Sequence, residues 1–262
     1  MAVDRVKATI LSDWGFRAWI TSVLGISLVF AMQAYYQSLI GPLSNVLPAA
    51  AAAAAFGSAL LCFLRYGHGV HRRFELVWFF FSLGTGLWVV AEVTWALYYF
   101  VFQVAVPYPS IADFFYIGGY FPIMAGLVLY LETFSVAMTR GRLVASLVAI
   151  GVSVTMALVF VVPVEASSSP TFLKALTDLA YPILDLALLS LTILALAIFI
   201  AGSIESWWLL FGVGSVLYVI GDEFFLYQYA AGSYYNGSLD DLIFILGYLT
   251  FAFAFYVHRR VL

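Results

Sequence analysis

Two carboxylic acids stand where a membrane-spanning run would ordinarily have none. Glu92 lies in WVVAEVTW and Asp222 in YVIGDEFF, each inside a long apolar segment. An ionisable group within a bilayer is costly and marks a functional site by default. Helical spacing sets Thr85, Trp88, Trp95 and Tyr99 on the face of Glu92, and Ser215, Tyr218, Phe225 and Tyr229 on that of Asp222. A carboxylate among aromatic faces suits an ammonium or a metal ion. Tyr120 and Tyr248 fall at matching depth on the following segments, and each is expected to donate its hydroxyl across its own hairpin, Tyr120 to Glu92 and Tyr248 to Asp222. Asp185, Glu223 and Asp240 add acids on the same half of the chain's spans, with only Lys174 to offset them. The candidate ligand-binding residues are therefore Glu92, Asp222, Trp88, Trp95, Tyr99, Tyr120, Tyr218, Tyr229, Tyr248 and Asp185. The competing reading makes each acid a buried carboxyl held by tyrosine as glue between helices.

A second set of acids is spaced for a different task. PSIADFFYIGGY (109–120) and GSLDDLIFILGY (237–248) share Ser110/Ser238, Asp113/Asp241, Ile117/Ile245, Gly119/Gly247 and Tyr120/Tyr248. Ser-x-x-Asp is the spacing of a capping box: the serine hydroxyl accepts from a first-turn N–H, and the carboxylate reaches back to the serine N–H. Ser110, Asp113, Ser238 and Asp241 are read as structural caps first and as ligands second. Gly118, Gly119 and Gly247 are expected to let a neighbouring helix approach closely.

Helices must position these residues, and composition says where. The chain has 262 residues, 65% of them hydrophobic and 10% charged, which is the balance of a polytopic membrane protein. Apolar runs of roughly 20 residues or more fall at about 17–40, 45–66, 74–103, 110–134, 143–164, 171–201, 206–230 and 238–258. The expected fold is an all-α integral membrane protein of about eight transmembrane helices, a single domain over 1–262. Arg5, Lys7 and Arg17, then Arg65, Arg72 and Arg73, then Arg140 and Arg142, then Arg259 and Arg260 all fall on one side of that arrangement. The positive-inside rule puts both termini in the cytoplasm of a cell-membrane protein and the two polar phrases at the outer surface.

The repeat reaches further. Trp78, Phe81, Gly84, Leu87, Val89 and Tyr99 match Trp208, Phe211, Gly214, Leu217, Val219 and Tyr229 without gaps, and Glu92 falls on Asp222. LTDLAYPILDLA places Asp178 and Tyr181 as Asp113 and Tyr116 stand. Parallel helical-hairpin repeats are expected at 74–134, 143–201 and 206–258, with a degenerate first hairpin at 17–66.

Other signals carry less. The net charge of −3 with scattered basic residues leaves no nucleic-acid footprint. Cys62 is the only cysteine, so neither an internal disulfide nor a cysteine metal site can form, and no metal site is expected. His68 and His71 read as a solvated loop and His258 as a terminal interfacial residue. GDEF at 221–224 echoes the diguanylate cyclase signature but lies inside an apolar span, where it reads as coincidence. Ala49–Ala55 reads as close helix packing. No nucleophile–base constellation points to an enzyme.

Pro107–Pro122, PYPSIADFFYIGGYFP, together with the upstream acid Glu92, resembles integral-membrane sensor regions found N-terminal to diguanylate cyclase, phosphodiesterase or histidine kinase modules. The resemblance covers mainly the third and fourth spans, and it implies signalling. No output domain is expected to follow, so that role is expected to call for a separate partner chain. The leading expectation is a sensor or receptor-like module binding a small ligand or cation in an outward-facing acidic–aromatic pocket. The alternatives are a cation or proton transporter or channel using the intramembrane carboxylates, and a non-catalytic subunit of a membrane complex binding lipid or pigment.

Overall fold

The computed structural model describes residues 13–66, 72–134, 139–156, 171–199 and 205–261. Eight α-helices make up the described chain, with no strand among the described residues: α1 Trp14–Ala31, α2 Gln37–Tyr66, α3 Arg72–Leu97, α4 Ile111–Phe134, α5 Arg140–Met156, α6 Phe172–Phe199, α7 Glu205–Ala230 and α8 Leu239–Val261. Seven of them, all but α5, are long and apolar enough to cross a membrane. The chain is a multi-pass membrane protein in a lipid bilayer. The end of the expected fifth span, 157–164, lies outside the described residues, as do Arg5, Lys7, His68 and His71.

The burial pattern is that of a protein in lipid. Val90, Leu97, Phe114, Ile183 and Leu209 are exposed, whereas Ser44, Glu92, Asp113, Asp185, Ser215 and Asp222 are buried. Hydrocarbon solvates the apolar outside, and polar groups must find partners within.

The first turn departs from expectation. The interval expected between the first two spans, 41–44, sits inside α2, and the chain turns at Gln33–Tyr35 instead. Pro42, the sixth residue of α2, has no amide hydrogen to give the Ser38 carbonyl, yet the helix continues through it. The Tyr36 hydroxyl closes the turn by donating to the Val29 carbonyl. Further on, α3 runs into a π turn, Tyr98–Phe102, and stops at Gln103, which has a left-handed backbone with φ 54°.

Six helices close a ring. α2 packs on α3, α3 on α4, α4 on α6, α6 on α7, α7 on α8, and α8 back on α2. α1 lies outside against α8 and α5 outside against α6. Asp13 pins α1 by accepting from Phe16 N at 3.0 Å and from the Tyr256 hydroxyl of α8 at 3.1 Å. The alanine run works as expected: Ala51, Ala52 and Ala55 are buried on α2, the face that meets its ring neighbours. GDEF is one helical stretch within α7.

Where α3 crosses α4, glycine lets backbone meet backbone. A methyl group added at Gly84 would meet the Gly119 carbonyl oxygen at 2.7 Å, and one added at Gly119 would meet the Trp88 indole at 2.5 Å. The expected role thus holds for Gly119. At Gly118 and Gly247 the nearest atoms would stand 3.9 and 3.5 Å away, so neither position requires glycine.

At the end of the ring where α2 and α8 finish, Arg65 donates to the Arg259 carbonyl at 2.9 Å. His258 corrects its expected role there. It is buried, with its ring 4.6 Å from those of Trp78 and Trp207 and its Nε2 3.2 Å from the Tyr66 hydroxyl. The final turn of α8 packs into the ring, so the last histidine is covered by tryptophans from α3 and α7.

Candidate functional site

The ring encloses a cavity of about 50 Å³ towards the end where α3 joins α4 and α7 joins α8. All six ring helices line it: Ser44 and Pro48 from α2, Glu92 and Trp95 from α3, Asp113 and Tyr116 from α4, Tyr181 from α6, Asp222, Phe225 and Leu226 from α7, and Asp241 and Phe244 from α8. Tyr234, from the α7–α8 connection, completes the wall.

The four carboxylates follow one local rule. Each is followed three residues later on the same helix by an aromatic that also faces the cavity: Glu92/Trp95, Asp113/Tyr116, Asp222/Phe225 and Asp241/Phe244. Residues i and i+3 share a helix face, so each helix delivers an acid and a ring together. All four acids are nearly closed off from solvent, with Glu92, Asp113 and Asp222 at 5–6% exposure and Asp241 at 9%.

The caps and the intramembrane acids therefore belong to one site. Asp113 forms its box as expected: Oδ2 accepts from Ser110 N at 2.6 Å and from the Ser110 hydroxyl at 2.9 Å, while Ser110 Oγ accepts from Ala112 N at 3.1 Å. Its other oxygen faces inward and accepts from the Tyr181 hydroxyl at 2.8 Å. The second box is rewired. Asp241 accepts from Gly237 N at 2.6 Å in place of the serine N–H, and the Ser238 hydroxyl donates to Asp240. Asp240 also accepts from Gln228 Nε2 at 2.8 Å. Tyr234 donates to Asp241 at 3.4 Å; burial, with Asp241 and Asp240 adding to it, holds the Tyr234 hydroxyl well above its usual titration range, so it stays a neutral donor.

The expected tyrosine–acid pairs are crossed. The Tyr120 hydroxyl lies 2.5 Å from Asp222 and also within hydrogen-bond reach of Asp185, on α7 and α6, in place of Glu92 on α3, and its single hydrogen serves one of the two carboxyls. Tyr248 sits 3.5 Å from the Tyr218 hydroxyl and, with Tyr116, brings its hydroxyl up to Glu92 instead of Asp222. Sequence depth placed these groups at the right level, but closure of the ring sets each tyrosine opposite a helix of another hairpin.

The other candidates divide into floor and vestibule. Trp88 stacks on Tyr218 at 4.2 Å and donates from Nε1 to the Tyr116 carbonyl at 3.0 Å. Together with Tyr120, Tyr248 and Phe251, all fully or almost fully buried, they fill the ring beneath the acids. Tyr99 and Tyr229 do not reach the acids. They line a second, wider space of about 470 Å³, which shares Trp95 and Tyr234 with the inner cavity. Lys174 is tied to Asp178 at 2.8 Å. Sequence reasoning did not single out Ser44, Pro48, Tyr234 or Phe244. The recurring acid–aromatic i, i+3 pair was the available signal for Phe244. Nothing local marks the residues of α2 and the loop.

The chain matches no family model, no curated protein and no solved structure.

Proposed function

We propose that this protein is a ligand-binding membrane module: a small cation enters the ring from the connection end, and the helix shift it causes is read by a separate partner protein. One observation carries the reading: four acids from four helices line a single cavity whose remaining walls are mostly aromatic. In a low-dielectric interior such a cavity attracts positive charge strongly, and ring faces add to that attraction. Among the described residues no three His, Cys, Asp or Glu side chains converge as a metal ligand set does. The acids are spread round the wall, which suits an ammonium group touching several of them better than a coordinated metal ion. Pro48 lacks the amide hydrogen that would bond the Ser44 carbonyl, so α2 offers the cavity one more acceptor.

The same geometry favours binding over passage. Below the acids the ring is filled by Trp88, Tyr218 and Phe251, and further down by Phe211, Phe255 and Trp78. A through-path for ions would have to part this stack.

The architecture is read as repeated parallel hairpins with cytoplasmic termini. In support, exchanging α2–α3–α4 with α6–α7–α8 leaves the order round the ring unchanged, and the arginine-bearing ends of α2 and α8 meet. The connection end then faces outwards, and the likeness of PYPSIADFFYIGGYFP to sensor regions points the same way.

Thermal unfolding of the detergent-purified protein tests the reading. Ammonium and methylammonium chloride are compared with sodium chloride at constant ionic strength. Tm is expected to rise with amine concentration, and Glu92→Gln with Asp222→Asn is expected to abolish the rise. Equal responses to amines and sodium would overturn it. Uptake of the amine into sealed proteoliposomes would favour the transporter alternative.

A further inference from the structure

A residue that lines the wider space carries an unmet hydrogen-bonding group. Asn45 of α2 lines it and is 2% exposed. Its Nδ2 donates to the Gly41 carbonyl at 2.8 Å and to Asn236 Oδ1 at 3.4 Å, which commits both amide hydrogens and fixes the orientation of the group. Its Oδ1, equally buried, has no partner. A buried acceptor left unmet is costly, and only an N–H or O–H donor can complete it.

Asn45 is next in sequence to Ser44, which lines the inner cavity, and Trp95 and Tyr234 wall both spaces. The two spaces therefore share an aromatic wall, with the acids lining the inner space and Asn45 lining the outer one. A simple ammonium would satisfy the inner acids and leave the Asn45 oxygen bare. A sugar or a zwitterion would set its own acceptors against a wall of carboxylates.

We infer that the joined cavity takes an elongated cation with a donor at each end, of the class of linear aliphatic diamines. One ammonium sits among Glu92, Asp113, Asp222 and Asp241. The other donates to Asn45 Oδ1, and the methylene chain lies along Trp95 and Tyr234. The inference rests on the cation reading above and names its ligand class.

The test is calorimetric titration of the full chain in detergent with ethylenediamine, putrescine, cadaverine and hexamethylenediamine, each against the monoamine of equal carbon number. One diamine of the series is expected to bind about tenfold more tightly than its monoamine, with shorter and longer members weaker. Asn45→Leu is expected to remove that advantage and leave monoamine affinity unchanged. Asn45→Asp is expected to enlarge it, and decides the matter if the leucine variant does not fold. Equal binding of diamines and monoamines, or an advantage that survives Asn45→Leu and does not grow in Asn45→Asp, overturns the diamine inference and leaves the cation reading standing. Failure of every amine to bind overturns both.

Discussion

The α3–α4 and α7–α8 hairpins are written in much the same residues, yet they are wired differently. Both place one acid at a helix start and one within a span, and both bring them to the same cavity. In α3–α4, Ser110 and Asp113 close a full capping box, and the free carboxylate oxygen is taken by Tyr181 from α6. In α7–α8, Asp241 turns to the Gly237 amide, and its second oxygen is met by Tyr234 from its own connection. The helix crossings differ as well: Gly84 and Gly119 press backbone on backbone, whereas Gly247 has ordinary room. A shared phrase sets which end and which depth an acid occupies. The partner comes from whichever helix packs there.

The crossing gives the largest test of this difference. Gly119→Ala drives a methyl group into the Trp88 ring and should cost about 2–3 kcal/mol, read as a fall in Tm in detergent. The matching Gly247→Ala should be neutral or stabilise by up to about 1 kcal/mol, because alanine is the better helix former where space allows. Equal losses at both sites would mean the two crossings are alike.

The inward bonds come next. Tyr181→Phe strips a 2.8 Å donor from buried Asp113 and should cost about 1–3 kcal/mol. Tyr234→Phe removes a contact of 3.4 Å and should cost less than about 1 kcal/mol. A reversed order would show that the connection, rather than α6, holds the acids in place.

The smallest effect concerns the caps and is best read locally. Ser110→Ala should cost about 1 kcal/mol and speed hydrogen exchange at the Ala112 amide, whose acceptor it removes. Ser238→Ala should leave the Gly237 amide protected, because Asp241 holds it. Fast exchange at Gly237 in that variant would restore the view that both boxes are the same.

Much of the site was legible because its signals are local. Glu92 and Asp222 stand out against apolar neighbours, and the aromatics at i+3 follow from helical geometry. Trp95 and Phe225 reach the cavity for that reason. Tyr99 and Tyr229 share that face in projection but lie two turns beyond the acids, which puts them in the wider space instead. The first turn falls at Gln33–Tyr35 and not at 41–44, because α2 begins at Gln37 and carries Gly41 and Pro42 within it.

The sequence by itself determined that this is a helical membrane protein, roughly where its spans lie, and which acids are out of place in lipid, because hydropathy and helical period are properties of each segment alone. Only the tertiary structure decided that the caps and the intramembrane acids share one cavity, that Tyr120 lies within reach of Asp185 and Asp222, and that Asn45 is left with an unmet oxygen. Those facts depend on α2 and α6 closing the ring. A contact between helices distant in the chain is set by how all six pack together, and no stretch of residues carries that information alone.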